Sequence, residues 1–390
     1  MFFIKTIFRV ISWLVPVNRK IIVLGAWHGK KFSGSPKAIF DELSNNSLNY
    51  DFFWVTKNEQ LFKNLSNSGY PVVKSNTFKS MLIHMRASLA IVNCSEYSDV
   101  DGQFLNSKTT ILNTWHGTPI KKIGLHADGY KSIRPNDMRF CDKFLRPVKV
   151  ILGRNITSKF RIVRKQIFTA PSKYVGELVK EAKTFDDYIL TGYSCLSLPI
   201  MQSKNQQKTS INTKKILYAP TYRGEYGGEI DLLDSLDICI VQSSIFCKEK
   251  NIELHIRLHP ANKLPKDKEN LINSTSNIHL DHTDDIYDTL HSYDTIITDF
   301  SSLYFDFLAL RKVPILAPIK MEEYIRDDRS LYLSLAKLSF HNIAHCWFEA
   351  LDLATQNLEF SDFEKLNNKF NEFNTTDSSK NVVNYIKSLN

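Results

Sequence analysis

The 390 residues contain no CxxC pair, no Walker loop, no GxGxxG turn and no HExxH segment. These absences remove the common zinc, phosphate-loop, dinucleotide and metalloprotease signatures. The six cysteines, at 94, 141, 195, 239, 247 and 346, are too scattered for a disulfide scaffold and suit a reducing compartment as small buried side chains. No metal is expected, because Asp186-Asp187 and Asp284-Asp285 are adjacent pairs and not the spaced carboxylates that hold a nucleotide's divalent ion. Internal repeats, low-complexity tracts and heptads are missing too. The apolar start is broken by Lys5 and Arg9 and stopped by Pro16, which is too short to span a bilayer. With no small-residue cleavage site behind it, it reads as an interfacial helix over 1–16, its apolar side chains in the headgroup boundary and its cations on anionic lipid, the alternative being a first helix packed on its own domain.

Hydrophobic residues make up 43% of the chain and aromatics 12%, enough for a substantial core, and the length favours two domains. Lys and Arg outnumber Asp and Glu by 50 to 41, and the resulting +9 is spread along the chain, which calls for an anionic partner. Two basic clusters, Lys20 to Lys31 and Arg154 to Lys165, suit anionic lipid or a polyanionic acceptor. Elsewhere the basic residues are scattered, without the interleaved aromatics of a nucleic-acid groove, so nucleic acid is not expected.

Short apolar runs alternate with amphipathic stretches. Strands are expected at Ile21–Leu24, Phe52–Val55, Leu89–Val92, Thr110–Leu112, Ile167–Thr169 and Tyr188–Leu190, then at Lys215–Tyr218, Leu254–Leu258, Thr295–Ile297 and Val313–Leu316. Ile230–Lys250 and Leu303–Leu310 read as helical. This alternation predicts α/β architecture with largely parallel, doubly wound sheets. Met201–Lys214, rich in Gln, Asn, Ser, Lys and Thr, reads as a linker between domains at 17–200 and 215–390. Ligands of such sheets bind beyond the carboxyl ends of the strands, so the cleft between two Rossmann-like domains is where a site is expected.

Four segments place reactive side chains directly after strands. In Asn113-Thr114-Trp115-His116-Gly117-Thr118-Pro119-Ile120-Lys121-Lys122, His116 stands on a Gly/Pro-shaped loop, and its ordinary pKa of about 6.5 suits it to take a proton from a hydroxyl. Taken alone, such a His also fits a loop-stabilising hydrogen bond, and the lysines a solvated face. In Tyr218-Ala219-Pro220-Thr221-Tyr222-Arg223-Gly224, Arg223 suits bidentate phosphate binding or a surface ion pair. In Arg257-Leu258-His259-Pro260, continued extension would put Arg257 and His259 on one side as an anion site, or His259 would merely be hydrogen-bonded at the strand terminus. In Thr298-Asp299-Phe300-Ser301-Ser302-Leu303-Tyr304-Phe305-Asp306, a strand runs into a helix whose start would offer N–H groups and Ser hydroxyls to a phosphate, or would merely be capped by Ser301 or Ser302.

In this order, Trp-His-Gly-Thr-Pro, Tyr-Ala-Pro-Thr-Tyr-Arg, Arg-Leu-His-Pro and Asp-Phe-Ser-Ser-Leu-Tyr-Phe-Asp resemble the CDP-glycerol glycerophosphotransferase family of teichoic-acid and capsule polymer synthesis. Gly34-Ser35-Pro36-Lys37-Ala38-Ile39-Phe40 resembles that family's first-domain opening, so the likeness runs over roughly residues 20–325. The resemblance implies a GT-B-like fold, peripheral attachment to the cytoplasmic face of a bacterial membrane, and a transferase reaction. A hydroxyl of a lipid-linked acceptor attacks the β-phosphorus of CDP-glycerol or a related CDP-polyol, and CMP leaves. No cofactor is implied besides that donor. His116 and His259 would be the catalytic pair, with His116 the base and His259 on the donor pyrophosphate. Arg223, Arg257, Ser301 and Ser302 would bind the donor phosphates, with Asp299, Asp306, Thr118 and Lys121 in support. Where the family has Gly-Tyr-Pro-Arg-Asn-Asp, this chain has Gly192-Tyr193-Ser194-Cys195-Leu196-Ser197, and Leu125-His126-Ala127-Asp128 also departs from the family's spacing. Both departures leave ribitol open beside glycerol. The alternatives are a GT-B glycosyltransferase using a nucleotide sugar, which gives no reason for a His-Gly-Thr-Pro loop, and a basic membrane-surface or nucleic-acid binding module.

Overall fold

The computed structural model describes residues 15–46, 49–127, 164–205, 213–221, 231–259, 262–320, 330–334, 338, 343–358 and 362–389. Two parallel sheets organise them. The first contains β1 Asn18–Leu24, β2 Asp51–Thr56, β3 Val72–Lys74, β4 Ala87–Val92, β5 Thr110–Asn113, β6 Gln166–Ala170 and β7 Asp187–Leu190. The second contains β8 Lys214–Tyr218, β9 Ile252–Ile256, β10 Ile278–Leu280, β11 Thr295–Thr298 and β12 Pro314–Leu316. Every ladder between these strands is parallel.

Strand order is β3-β2-β1-β4-β5-β6-β7 in the first sheet and β10-β9-β8-β11-β12 in the second. Each sheet therefore reverses its winding once, between β1 and β4 and between β8 and β11, which is the doubly wound architecture expected. The apolar runs become strands because helices cover both faces, so Val23, Leu24, Ala90, Ile91 and Val92 have no exposed side to keep polar. Two strands escape the sequence pattern, β3 and β10, which are only three residues long and carry no usable period.

Three expectations change in the structure. The segment Ile230–Lys250 is two helices, Leu232–Ser235 and Ile240–Glu249, because Asp237 takes a left-handed φ of 56° between them. The polar stretch from Met201 begins as the end of a helix, Ser197–Asn205; residues 206–212 lie outside the described ones. The last helix, Ser378–Ser388, was expected with the second sheet but packs on the first. Its apolar stripe of Val382, Val383 and Ile386 joins Ile39, Phe40 and Leu43 of the helix Gly34–Asn45. Just before it, the helix Phe363–Asn371 sets Phe370 against Phe305 of the second domain at 4.3 Å and against Tyr174 of the first at 5.4 Å. The chain end thus straps the two sheets together. The expected interfacial helix at 1–16 lies almost wholly outside the described residues, and so does most of the basic cluster from Arg154; at its end, Arg164 is buried on the carbonyls of Leu105 and Asn106.

The strap rests on Gly192, whose φ is +77° and whose missing Cβ would lie 2.3 Å from the Phe373 carbonyl and 2.4 Å from Ser378 Oγ. We expect Gly192→Ala to cost about 2 kcal/mol or more in urea unfolding, through backbone strain and displacement of the last helix.

Candidate functional site

The loops that follow the strands at both reversal points converge. From the first sheet come the turn after β1 (Gly25–Ser33), the turn after β4 (Asn93, Cys94) and the His116 loop after β5. From the second come Ala219–Thr221 after β8, Arg257–His259 after β9 and Asp299–Ser302 after β11. The His116 loop touches the start of the helix Leu303–Ala309. Gly117 has φ +128°, and a Cβ there would meet Ser302 Oγ at 2.3 Å and its Cβ at 2.6 Å. Only glycine lets the two loops come this close.

His116 is held on three sides. Its Nδ1 lies 3.0 Å from the Asn93 carbonyl oxygen. A carbonyl can only accept, so Nδ1 carries the proton and Nε2 of the neutral ring keeps its lone pair. The ring stacks on Trp115 at 4.6 Å and 23°, and Trp27 stands 5.7 Å away at 51°. Trp115 itself sits at φ 55°, with its N–H donating to Asn113 Oδ1 at 2.8 Å. The ring is accessible from the cleft, yet the surrounding protein lowers its pKa, chiefly through burial, with the nearby Lys183 ammonium adding to the effect; the Asn93 hydrogen bond opposes them. Lys183 also lies 4.8 Å over the Trp115 ring.

His259 stands across the cleft. Burial, then Lys121, the His116 ring and Lys31, push it down to about 4, so His116, Lys121 and Lys31 all lie within electrostatic reach of it. Lys31 was not singled out as a site residue from the sequence, although it closes the basic cluster that begins at Lys20. It reaches from the first domain toward the second, half-buried, with its pKa lowered by burial and by Arg257 and raised by Asp284 and Asp285. Lys121 holds its place through an antiparallel bridge to Leu331.

The other expected residues divide by location. Arg257 does not continue the strand, since β9 ends at Ile256. Its guanidinium bonds Asp281 Oδ2 at 3.0 Å, Thr283 Oγ1 at 2.7 Å and the Thr283 carbonyl at 2.9 Å, which makes it the frame of the His259 loop. Asp299 is buried and clamps the loop after β8, accepting from the Thr221 N–H at 2.8 Å, Thr221 Oγ1 at 2.7 Å and the Phe300 N–H at 2.7 Å. Ser301 Oγ accepts from the Leu303 N–H at 3.3 Å, whereas Ser302 makes no capping bond to the helix and faces Gly117. Thr118 is buried and donates to the Tyr193 hydroxyl at 3.4 Å. Arg223 lies outside the described residues. Among the described residues no group of three or more His, Cys, Asp or Glu side chains could hold a metal ion.

Asp306 is placed away from the cleft, fully buried behind it. Its Oδ2 accepts from the Tyr287 hydroxyl at 3.0 Å, and burial pushes its carboxyl up to about 7. Nearby, Asp285 Oδ2 accepts from the Gly34 N–H at 2.7 Å and Lys37 pairs with Asp288 at 3.2 Å, so the turn opening the helix Gly34–Asn45 is docked onto the second domain. The departure at Cys195 falls in this contact, with Cys195 N donating to Ser35 Oγ at 3.2 Å. One sequence signal for the residues that were missed did exist: Trp27-His28-Gly29-Lys30-Lys31 repeats the Trp-His-Gly of residues 115–117 at the end of another strand.

Residues 7–388 match the family described as CDP-Glycerol:Poly(glycerophosphate) glycerophosphotransferase. A teichoic acid glycerol-phosphate transferase of Staphylococcus aureus (strain NCTC 8325 / PS 47) is 26% identical over 352 residues, covering 86% of this chain and 82% of that protein. A teichoic acid poly(glycerol phosphate) polymerase of Bacillus spizizenii (strain ATCC 23059 / NRRL B-14472 / W23) is 26% identical over 399 residues, covering 97% and 94%. A structure of the wall teichoic acid polymerase TagF superposes with a TM-score of 0.71 at 20% identity, covering 98% of this chain and 92% of that one, and so shares the fold.

A carboxyl whose folded pKa is raised contributes stability at low pH and loses it as pH climbs from the unfolded value, about 4, through about 7. Asp306→Asn, which keeps an acceptor for Tyr287, should therefore gain on the wild type over that window by about 1 kcal/mol or more and change little beyond it, as read by denaturation at a series of pH values.

Proposed function

The chain belongs to the CDP-Glycerol:Poly(glycerophosphate) glycerophosphotransferase family, and from that premise we propose how its residues divide the work of moving a glycerol-phosphate unit from CDP-glycerol to an acceptor hydroxyl. It is a transferase of the teichoic-acid type; family membership sets aside the nucleotide-sugar and binding-module alternatives. His116 is the general base. The supporting observation is its geometry: Nδ1 is tied to a carbonyl, Nε2 is free, the pKa is lowered so the ring is neutral at working pH, and the loop faces the second domain.

The acceptor hydroxyl gives its proton to Nε2 as its oxygen forms a bond to the β-phosphorus, and the bond from that phosphorus to the bridging oxygen breaks. CMP leaves with the electron pair. Because the transferring group and the leaving phosphate carry the charge, catalysis is positioning plus electrostatic stabilisation. His259, Lys31 and Lys121 supply that stabilisation from both walls, Ser301, Ser302 and Arg223 complete the phosphate contacts, and Asp299 and Arg257 hold their loops in place. On this reading the first domain serves the acceptor and the second holds the CDP donor. The acceptor is lipid-linked, and the enzyme works peripherally at the cytoplasmic, anionic face of the membrane through residues 1–16; no described helix is long and apolar enough to cross a membrane.

With membrane-derived acceptor, wild-type protein should release CMP from CDP-glycerol, and His116→Ala should slow that release about a hundredfold or more with little change in the donor's KM. Turnover of CDP-ribitol instead would move the donor assignment, and undiminished release by the variant would remove the base. Donor binding places an anion beside His259 and raises its pKa from about 4. Calorimetry near pH 6 in buffers of different ionisation enthalpy should accordingly show net proton uptake on CDP-glycerol binding, lost in His259→Ala. A shift of the protein off anionic liposomes on Lys5→Glu with Arg9→Glu, checked by flotation, is expected if residues 1–16 are the anchor.

A further inference from the structure

The turn after β1 holds three successive residues in the left-handed region. Trp27, His28 and Gly29 take successive φ values of 49°, 60° and 71°, and two of the three carry side chains where glycine is the undemanding choice. Such positions carry backbone strain and persist only when neighbours over-determine them. Here the neighbours do so through hydrogen bonds to the backbone of the turn. The Trp27 N–H donates to Asn93 Oδ1 at 2.9 Å and the His28 N–H to Asp99 Oδ1 at 2.9 Å. The Gly29 carbonyl accepts from the Lys57 N–H at 2.7 Å and from Thr56 Oγ1 at 2.9 Å.

The side chains this turn projects go to the site. The turn lies at the reversal point of the first sheet, between β1 and β4, where ligands of doubly wound sheets bind. Trp27 stands beside the His116 ring at 5.7 Å, and the His28 imidazole is exposed and within electrostatic reach of His116. Asn93 joins the two features directly, giving its carbonyl to His116 and its side-chain oxygen to Trp27. The donor's phosphates are accounted for by His259, Lys31 and the second-domain loops, which leaves the first-domain wall beside His116 to the other substrate. A glycerol-phosphate acceptor whose hydroxyl reaches His116 Nε2 carries a short polyol and then a phosphodiester.

We infer that Trp27 and His28 form the acceptor subsite, the indole covering the carbons of the acceptor's terminal glycerol and the imidazole binding the phosphodiester at its far end. This rests on the proposed transferase reaction with His116 as base. It makes His28 an acceptor-binding residue that need not move a proton.

The test exploits the strain. His28→Gly removes the imidazole and relieves the backbone, so it should leave the melting temperature unchanged or higher, while raising the KM for a lipid-anchored disaccharide acceptor ending in glycerol phosphate about tenfold. The KM for CDP-glycerol should hold steady. His28→Asn, which tolerates the left-handed conformation, should raise the acceptor KM by a similar factor. The same lipid-anchored disaccharide without the glycerol phosphate should show no difference between variant and wild type. An unchanged acceptor KM in both variants, an equal shift on the phosphate-free acceptor, or a rise confined to the donor KM would overturn the assignment while leaving the transferase intact. If the wild type releases no CMP from CDP-glycerol with the glycerol-phosphate acceptor, the reaction and the subsite fall together.

Discussion

The close approach of Gly117 to Ser302 is the contact on which the site depends. A first-domain loop lies against the start of a second-domain helix with no room for a Cβ between them, so the position of one sheet sets that of the other. The Gly34–Asp285 hydrogen bond, the Lys37–Asp288 pair and the strap formed by the last two helices fix the same relation from behind. Loops from two separate reversal points then share one cleft. Neither sheet alone would bring His116 within reach of His259.

Within that cleft several cations gather around two histidines. Burial works against a charged imidazole, and Lys31, Lys121 and Lys183 work against it again, so both histidines are poised neutral beside several cations. For His116 the carbonyl of Asn93 has already decided which nitrogen keeps the proton. On the proposed reaction the neutral form of His116 is the useful one, and a phosphate beside His259 would favour its protonated ring, with the cations that hold the pKa down becoming part of the same field.

Asn93 and Asp99 carry much of this arrangement without touching the reaction. Asp99 accepts from the N–H groups of His28, Asn93 and Cys94, while Asn93 serves His116 and Trp27 at once. Both side chains are buried, Asn93 in the turn after β4 and Asp99 at the end of the short helix Glu96–Asp99 that follows it. They turn the strand ends of the first sheet into fixed mounts for the His116 ring and for the left-handed turn at Trp27 and His28.

Strand and helix alternation, the doubly wound sheets and the residues His116, His259, Ser301 and Ser302 after strand ends were legible in the sequence, because period and turn chemistry are local properties. β3 and β10 were too short to show a period, and the turn at Asp237 depends on one left-handed residue that an apolar pattern does not register. The roles of Arg257, Asp299 and Asp306 needed the fold, since a charged residue beside a motif looks the same whether it faces a ligand or a buried partner. Arg257 finds Asp281, Asp299 finds Thr221 and Asp306 finds Tyr287, each from a different part of the chain. Lys31 and the Trp27–His28 turn come beside His259 and His116 for the same reason in reverse. Local chemistry along the chain determined what the loops can do; which loops meet, and so which charges act together, was decided only by the packing of two sheets that are remote in sequence.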